Sequence, residues 1–234
     1  LAVNAGWTTD PILQVGPFAM SSRATSASSL TDLGQLSTNQ YWDGSNHKYI
    51  ATGNSSMYTQ NDGTHIFSGA PSGSAGGNIT YVTGLTVSAA GEVQKPNQPA
   101  FLVNAATQNN IPINASTTVT FSTERFDQGS NFASNTFTAP VTGAYQFNVI
   151  LYTQSVDSAA AYVQISLRTS NREYFSIFAV SSLVQDAAYM TFPISALADM
   201  DASDTAYVEV QLNNTGQGQM DINAVSIFSG YLVA

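Results

Sequence analysis

Between Phe126 and Phe147 aromatic residues recur at strand spacing on either side of an Ala139-Pro140-Val141-Thr142-Gly143 turn. Pro140 cannot donate to a ladder and ends one strand, while Gly143 tolerates the backbone that opens the next. Beyond it the alternation continues. Tyr145, Phe147, Val149 and Leu151 share one face, as do Ala161, Val163, Ile165 and Leu167, then Phe175 with Ile177, then Val208, Val210 and Leu212, then Val225 with Ile227. Turn clusters at Asp157-Ser158, Ser170-Asn171, Asp201–Asp204 and Asn213–Gly218 separate these runs. Short strands at even spacing with such punctuation predict an antiparallel sandwich.

Composition narrows the functions open to such a fold. Charged residues make up 9% of the 234, so helices built on ion pairs are not expected. The net charge of -9, with six basic residues, gives a nucleic-acid backbone nothing to bind, and no apolar run is long enough to insert into a membrane as a helix. The absence of cysteine removes disulfides, thiol catalysis and thiolate metal sites together. The N-terminus lacks the blocks of a signal peptide. Leu1 is not an initiator residue, so the chain is expected to be the distal part of a longer polypeptide or to have been trimmed.

The N-terminal 95 residues read differently from the rest. Tyr41–Ile50 predicts a hairpin around Asp43-Gly44, and a second is expected across Asn61-Asp62-Gly63, from Met57-Tyr58 to His65-Ile66-Phe67. Ala70 to Asn78 reads as a loop, and Ile79 to Val82 and Leu85 to Val87 as short strands ending at Gly91. Thr31 to Leu36, with Leu30, Leu33 and Leu36 at near-helical spacing, is the one helical candidate. These strands have too few alternating apolar positions to close a sandwich alone, so the segment is expected to bury its aromatics against other copies of itself. Lys95-Pro96-Asn97-Gln98-Pro99 predicts the hinge, giving regions 1–95 and 96–234.

Two separated motifs carry a family resemblance. Phe126, Asn131, Phe132, Phe137, Gly143, Tyr145 and Phe147, followed near the end by Asp204–Val208 and Phe228-Ser229-Gly230-Tyr231-Leu232-Val233, resemble the complement C1q globular-head family. That resemblance implies a trimeric jelly roll of the tumour necrosis factor-like type that binds partners and catalyses nothing. Val149 stands where the family usually has Phe or Tyr, and the interval from Phe132 to Phe137 is about two residues short. Upstream, Tyr41, Asp43, Gly44, Ser45, Lys48, Tyr49, Tyr58, Ala70–Gly76, Ile79, Gly91, Val93 and Pro96–Phe101 resemble a segment that precedes such heads in bacteriophage tail fibres.

Together they imply an all-β chain: a β-rich, intertwined trimeric fibre shaft over 1–95, then a C1q-like jelly-roll head. The function implied is a non-enzymatic tail-fibre tip, a virion adhesin assembled in the host cytoplasm. It would be a homotrimer on upstream virion tail components, recognising a host surface glycan or outer-membrane protein. A purely structural head or neck fibre is the alternative. A glycan-degrading tailspike fits less well, since no long repeated β-helix is present.

The chemistry-bearing residues are sparse. Carboxylate pairs for glycoside hydrolysis are within local reach at Asp199, Asp201 and Asp204, or at Glu124 with Asp127. The first set is also the calcium candidate, although it lacks the Gly and distal Glu of a calcium loop, and no other cofactor is implied. His47 and His65 are too isolated to predict a zinc site, and Trp7 and Trp42 read as packing residues. No Ser–His–Asp set and no phosphate-binding loop appear. Candidate receptor-binding residues are the polar loop positions Asp157, Ser158, Asn171, Arg172, Asn213, Asn214, Gln217 and Gln219.

Overall fold

A computed structural model describes residues 12–23, 33–213 and 219–234, most of them in strands. Among them no helix is long and apolar enough to cross a membrane. The chain divides into two compact units, Leu1–Asn97 and Gln98–Ala234.

The first unit contains β1 (Ile12–Val15), β2 (Phe18–Arg23), β3 (Leu33–Thr38), β4 (Gln40–Trp42), β5 (His47–Tyr49), β6 (Gly53–Asn61), β7 (Thr64–Gly73), β8 (Val82–Val87) and β9 (Val93–Gln94). Seven of these form one antiparallel sheet in the order β1-β2-β3-β6-β7-β8-β9, while β4 and β5 pair separately. Both expected hairpins are present. Asn61 pairs with Thr64, so Asp62-Gly63 is a two-residue turn with φ of 50° and 74°, the twist that right-handed strands require. In the β4–β5 hairpin Asp43 Oδ1 accepts from the Ser45 and Asn46 amides at 2.8 and 2.7 Å, closing the turn from within.

Three expectations for this unit are corrected. The helical candidate is strand β3 over Leu33–Thr38, because β2 and β6 on its two sides satisfy its backbone and override a three-residue apolar spacing; Leu30 and Thr31 lie outside the described residues. The loop expected from Ala70 begins after Gly73, since β7 continues to that residue, and Gly73 presses its backbone against the Tyr49 ring where a side chain would collide. The two short strands expected between Ile79 and Val87 are one, β8, beginning at Val82.

The second unit holds β10 (Ala100–Ala105), β11 (Ser116–Thr118), β12 (Phe121–Gln128), β13 (Phe132–Ala133), β14 (Thr136–Thr138), β15 (Gly143–Val156), β16 (Tyr162–Thr169), β17 (Glu173–Phe178), β18 (Ala187–Met200), β19 (Thr205–Asn213), β20 (Asp221–Ile222) and β21 (Ile227–Leu232). One sheet runs β12-β10-β21-β15-β18, with β20 beside β15; the other runs β13-β14-β19-β16-β17, with β11 beside β19. The chain alternates between sheets, and its first and last strands, β10 and β21, are neighbours. This is jelly-roll connectivity.

The inner faces follow the alternation read from sequence. Tyr145, Phe147, Val149 and Leu151 from β15 meet Val163, Ile165 and Leu167 from β16 and Val208, Val210 and Leu212 from β19, all buried. Phe101 organises the aromatic centre, stacking on Phe137 and Phe132 at 4.9 and 5.1 Å and meeting Phe228 edge-on at 4.9 Å. Each such side chain contributes about 1.5 to 3 kcal/mol over exposure. Tyr145 keeps its ring in the core while its hydroxyl donates to Val141 O at 2.8 Å, tying the Pro140 turn to the strand that follows.

Three other runs face outward. Phe126 pairs with Leu102, whose neighbours Phe101 and Val103 point inward, and it is 49% exposed. Phe175 and Ile177 pair with Ser166 and Gln164 on the outer face of β16, leaving Tyr174 as the residue of β17 that packs against the core. Val225 is exposed because Ser226 and Phe228 take the inward positions.

Candidate functional site

The described receptor-binding candidates fall into two groups at opposite ends of β16. Near Tyr162, Asp157 donates its amide to Gln219 O at 3.0 Å, and the Asn213 carbonyl accepts from the Ala161 amide at 2.8 Å. Ser158 gives both its amide and its hydroxyl to Asp186 Oδ1, at 3.0 and 2.7 Å, and these bonds hold the Asp186 carboxyl below its usual range. Asp157, Ser158, Asn213 and Gln219 thus share one end; Asn214 and Gln217 lie outside the described residues.

Near Thr169, the Asn171-Arg172 turn closes on Thr169, whose amide donates to Arg172 O at 2.8 Å. Asn171 Nδ2 then donates to Asp199 O and to Asp204 Oδ2 at 3.0 and 2.9 Å. Eight residues at about 3.3 Å each put roughly 25 Å between the two ends. The six described candidates therefore do not make one site.

The second end also contains the carboxylates considered for calcium or hydrolysis, and there each has a partner within the protein. Arg172 Nε and Nη2 meet the two oxygens of Asp199 at 2.9 Å each, a paired geometry that neutralises the carboxylate. Asp204 Oδ2 accepts from the Asp201 amide at 2.8 Å as well as from Asn171, and Asp201 Oδ1 faces the Thr142 hydroxyl at 3.4 Å. The three acids close a turn. Among the described residues no group of three or more His, Asp or Glu is arranged to hold a metal ion.

Asp127 is likewise committed. Its two oxygens accept from the Asn131 and Phe132 amides at 3.0 and 2.8 Å and shape the β12–β13 turn, leaving Glu124 without a partner acid in that turn. The histidines have neutral neighbours: His47 Nδ1 lies 2.7 Å from Gln40 Oε1, and His65 Nδ1 lies 2.5 Å from the Tyr58 hydroxyl. Trp42 meets the His47 ring edge-on at 4.9 Å, and Trp7 lies outside the described residues.

Two outer faces were not anticipated. On the β16 sheet, Arg168 bonds to Glu209 on one neighbouring strand and lies 3.2 Å from Glu173 on the other; Ser166 donates to the same Glu173 at 2.8 Å. The polar alternation Gln164, Ser166, Arg168 carried that signal. On the β15 sheet, Phe126, Leu102, Ser229, Asn148 and Ser195 form one cross-strand row, and Tyr231, Gln146 and Leu197 a second. Ile227, Ile150 and Pro193 make the third. Phe126, Tyr231, Leu197 and Ile150 are 42 to 58% exposed, so this face is apolar around a central patch in which Gln146 and Ser195 hydrogen-bond to each other and to Asn148.

Fold and surface together define a jelly-roll sandwich whose described surface offers two outer faces for contact. The model of the C1q domain family matches residues 100–233, more than half of the chain, and the chain belongs to that family. Similar solved structures include the globular domain of zebrafish complement 1qA protein, 17% identical with a TM-score of 0.45 over 58% of this chain and 98% of that one. Murine APRIL is 10% identical with a TM-score of 0.43, over 58% and 99%. Comparison with curated proteins gives no match.

Proposed function

We propose that the chain is the distal, receptor-binding part of a homotrimeric bacteriophage fibre and that it works by binding alone. The observation that carries the reading is the open apolar face of the β15 sheet in a C1q domain, since domains of this class usually assemble as trimers and are generally non-enzymatic. Three copies close a ring when each sets an edge against the face of the next. The exposed Phe175 and Ile177 of edge strand β17 give such an edge apolar content. The fibre context is supported by the resemblance of residues 41–101 to the segment before phage fibre heads. Asp157, Ser158, Asn213 and Gln219, gathered at one end, make the receptor-facing set, with amides and hydroxyls suited to a glycan.

An architectural fibre is the second reading, favoured by the internal bonding of Ser158 to Asp186 and of Arg172 to Asp199. One experiment separates them. Fluorescently labelled full chain, shown by light scattering to have the mass of three 24.7 kDa protomers, is titrated onto intact cells of a panel of bacterial strains. Saturable binding to particular strains, competed by unlabelled chain, is the expected result; a trimer that binds none supports the spacer.

A further inference from the structure

The first unit carries a sheet whose two faces are inverted in character. Cross-strand register sets Leu13 opposite Met20, Met20 opposite Leu36, Leu36 opposite Tyr58, Tyr58 opposite Phe67 and Phe67 opposite Leu85, a continuous apolar row over six strands. One pleat along the same face run Val15, Phe18, Thr38, Ser56, Gly69 and Val82. Leu13, Val15, Phe18, Met20, Leu36, Phe67 and Val82 are all 37 to 62% exposed. Of the residues between them, pointing the other way, the buried ones are small or polar, namely Ala19, Ser37, Ser55, Thr59 and Ala70, while the larger Met57 and Ile66 are half-buried. The chain itself covers that second side, with Ser37 bonded to Gln40 and Ser55 to Tyr81. Most of the sheet's large apolar side chains have thus been placed where the described chain supplies no second layer, against the rule that a sheet buries its apolar face.

We infer that this face is a self-association surface, covered in the assembly by the same unit of other copies of this chain, so that the two units each contribute a contact between protomers. The inference rests on the trimer reading above. Neither row contains a charged residue, so copies of a chain with net charge -9 meet there without opposing carboxylates. A hollow of about 410 Å³ lined by Phe18, Leu36, Thr38, Tyr58 and Phe67 is open to accept a neighbour's side chains. A contiguous apolar patch of this kind is of the size that marks an interaction site, roughly 300 to 600 Å², and is less than the ~800 Å² per partner that holds two free proteins together. Covalent continuity through Lys95–Pro99 makes up that difference, because trimerisation of the second unit brings three copies of the first to an effective concentration on the order of millimolar.

Met20 is a built-in reporter, since a thioether in the patch is oxidised by peroxide only where solvent reaches it. Full-length chain is treated with hydrogen peroxide, Met20 sulfoxide is quantified by mass spectrometry, and light scattering is run on the same samples. The expected result is a trimer in which Met20 reacts at least tenfold more slowly than free methionine. Leu36→Glu and, separately, Phe67→Ser are expected to restore the fast rate while the mass stays that of three chains. A trimer with a freely reacting Met20 overturns this inference and leaves the trimer reading intact. A monomer with a freely reacting Met20 overturns both. Protection in a monomer, or protection that survives both substitutions in a trimer, overturns the inference by assigning the cover to another part of the chain.

Discussion

The guanidinium of Arg172 and the carboxylate of Asp199 lie side by side, joined by two parallel hydrogen bonds of 2.9 Å. Both side chains are about 60% exposed, so water screens the pair and its contribution to stability is small. The hydrogen bond from Arg172, reinforced by its charge, still holds the Asp199 carboxyl below its ordinary 3.8. A carboxyl with a depressed folded pKa stabilises above the unfolded value, and that stabilisation is lost as pH falls through the folded one. Arg172→Gln is therefore expected to melt slightly below the parent at neutral pH, with the two curves converging in acid below 3.8. Calorimetry across that range checks it, and an unchanged gap in strong acid contradicts it.

Gly230, in the closing strand, is a packing residue. A Cβ built there would lie 2.5 Å from Phe147 Cδ1 and 2.8 Å from Phe101 Cε1, two rings with no room to retreat. Gly230→Ala is expected to destabilise by about 1 to 3 kcal/mol, the cost of overpacking a filled core. Denaturant unfolding would show a lower midpoint at unchanged slope, whereas an unaltered midpoint would mean that the rings are free to shift.

The Asp62-Gly63 turn makes a comparable prediction in the first unit. Gly63 has φ of 74°, and a Cβ would also sit 3.1 Å from the Ala89 Cβ. Gly63→Ala is expected to cost about 1 to 2 kcal/mol, while Asp62→Asn, which suits a positive φ, leaves stability unchanged or raises it. Thermal melts of the two variants side by side decide the matter; equal losses would rule out backbone strain as the cause.

Sequence carried the jelly roll because alternation and turn chemistry act locally. Tyr145, Phe147, Val149 and Leu151 have no register in which a single face is not buried, and Asp62-Gly63 admits one kind of turn. What it could not carry depends on partners in space. Phe175 and Phe126 look like core on hydropathy, and only pairing with Ser166 and with Leu102 turns them outward. Leu33 and Leu36 look helical until strands are present on both sides. Asp199 and Arg172, 27 residues apart, carry no local pattern that announces their pairing; only the fold brings the two side chains together.

His47 supplies a pH dependence confined to the first unit. Its ring is packed between Trp42 and Tyr81, at 4.9 and 5.6 Å, and burial pushes its pKa below 6.5. Between the folded and unfolded values the unfolded chain binds more protons, so stability rises with pH through that window. The stabilisation of the neutral ring is complete above 6.5 and is lost as pH falls from 6.5 toward the folded value. His47→Gln, which retains a polar group facing Gln40, is expected to flatten this slope. Trp7→Phe leaves Trp42 as the sole tryptophan, and its fluorescence then reports unfolding beside the imidazole. Denaturant titrations on that background, one above 6.5 and one about a unit below it, measure the effect; a slope that persists in His47→Gln assigns it to another group.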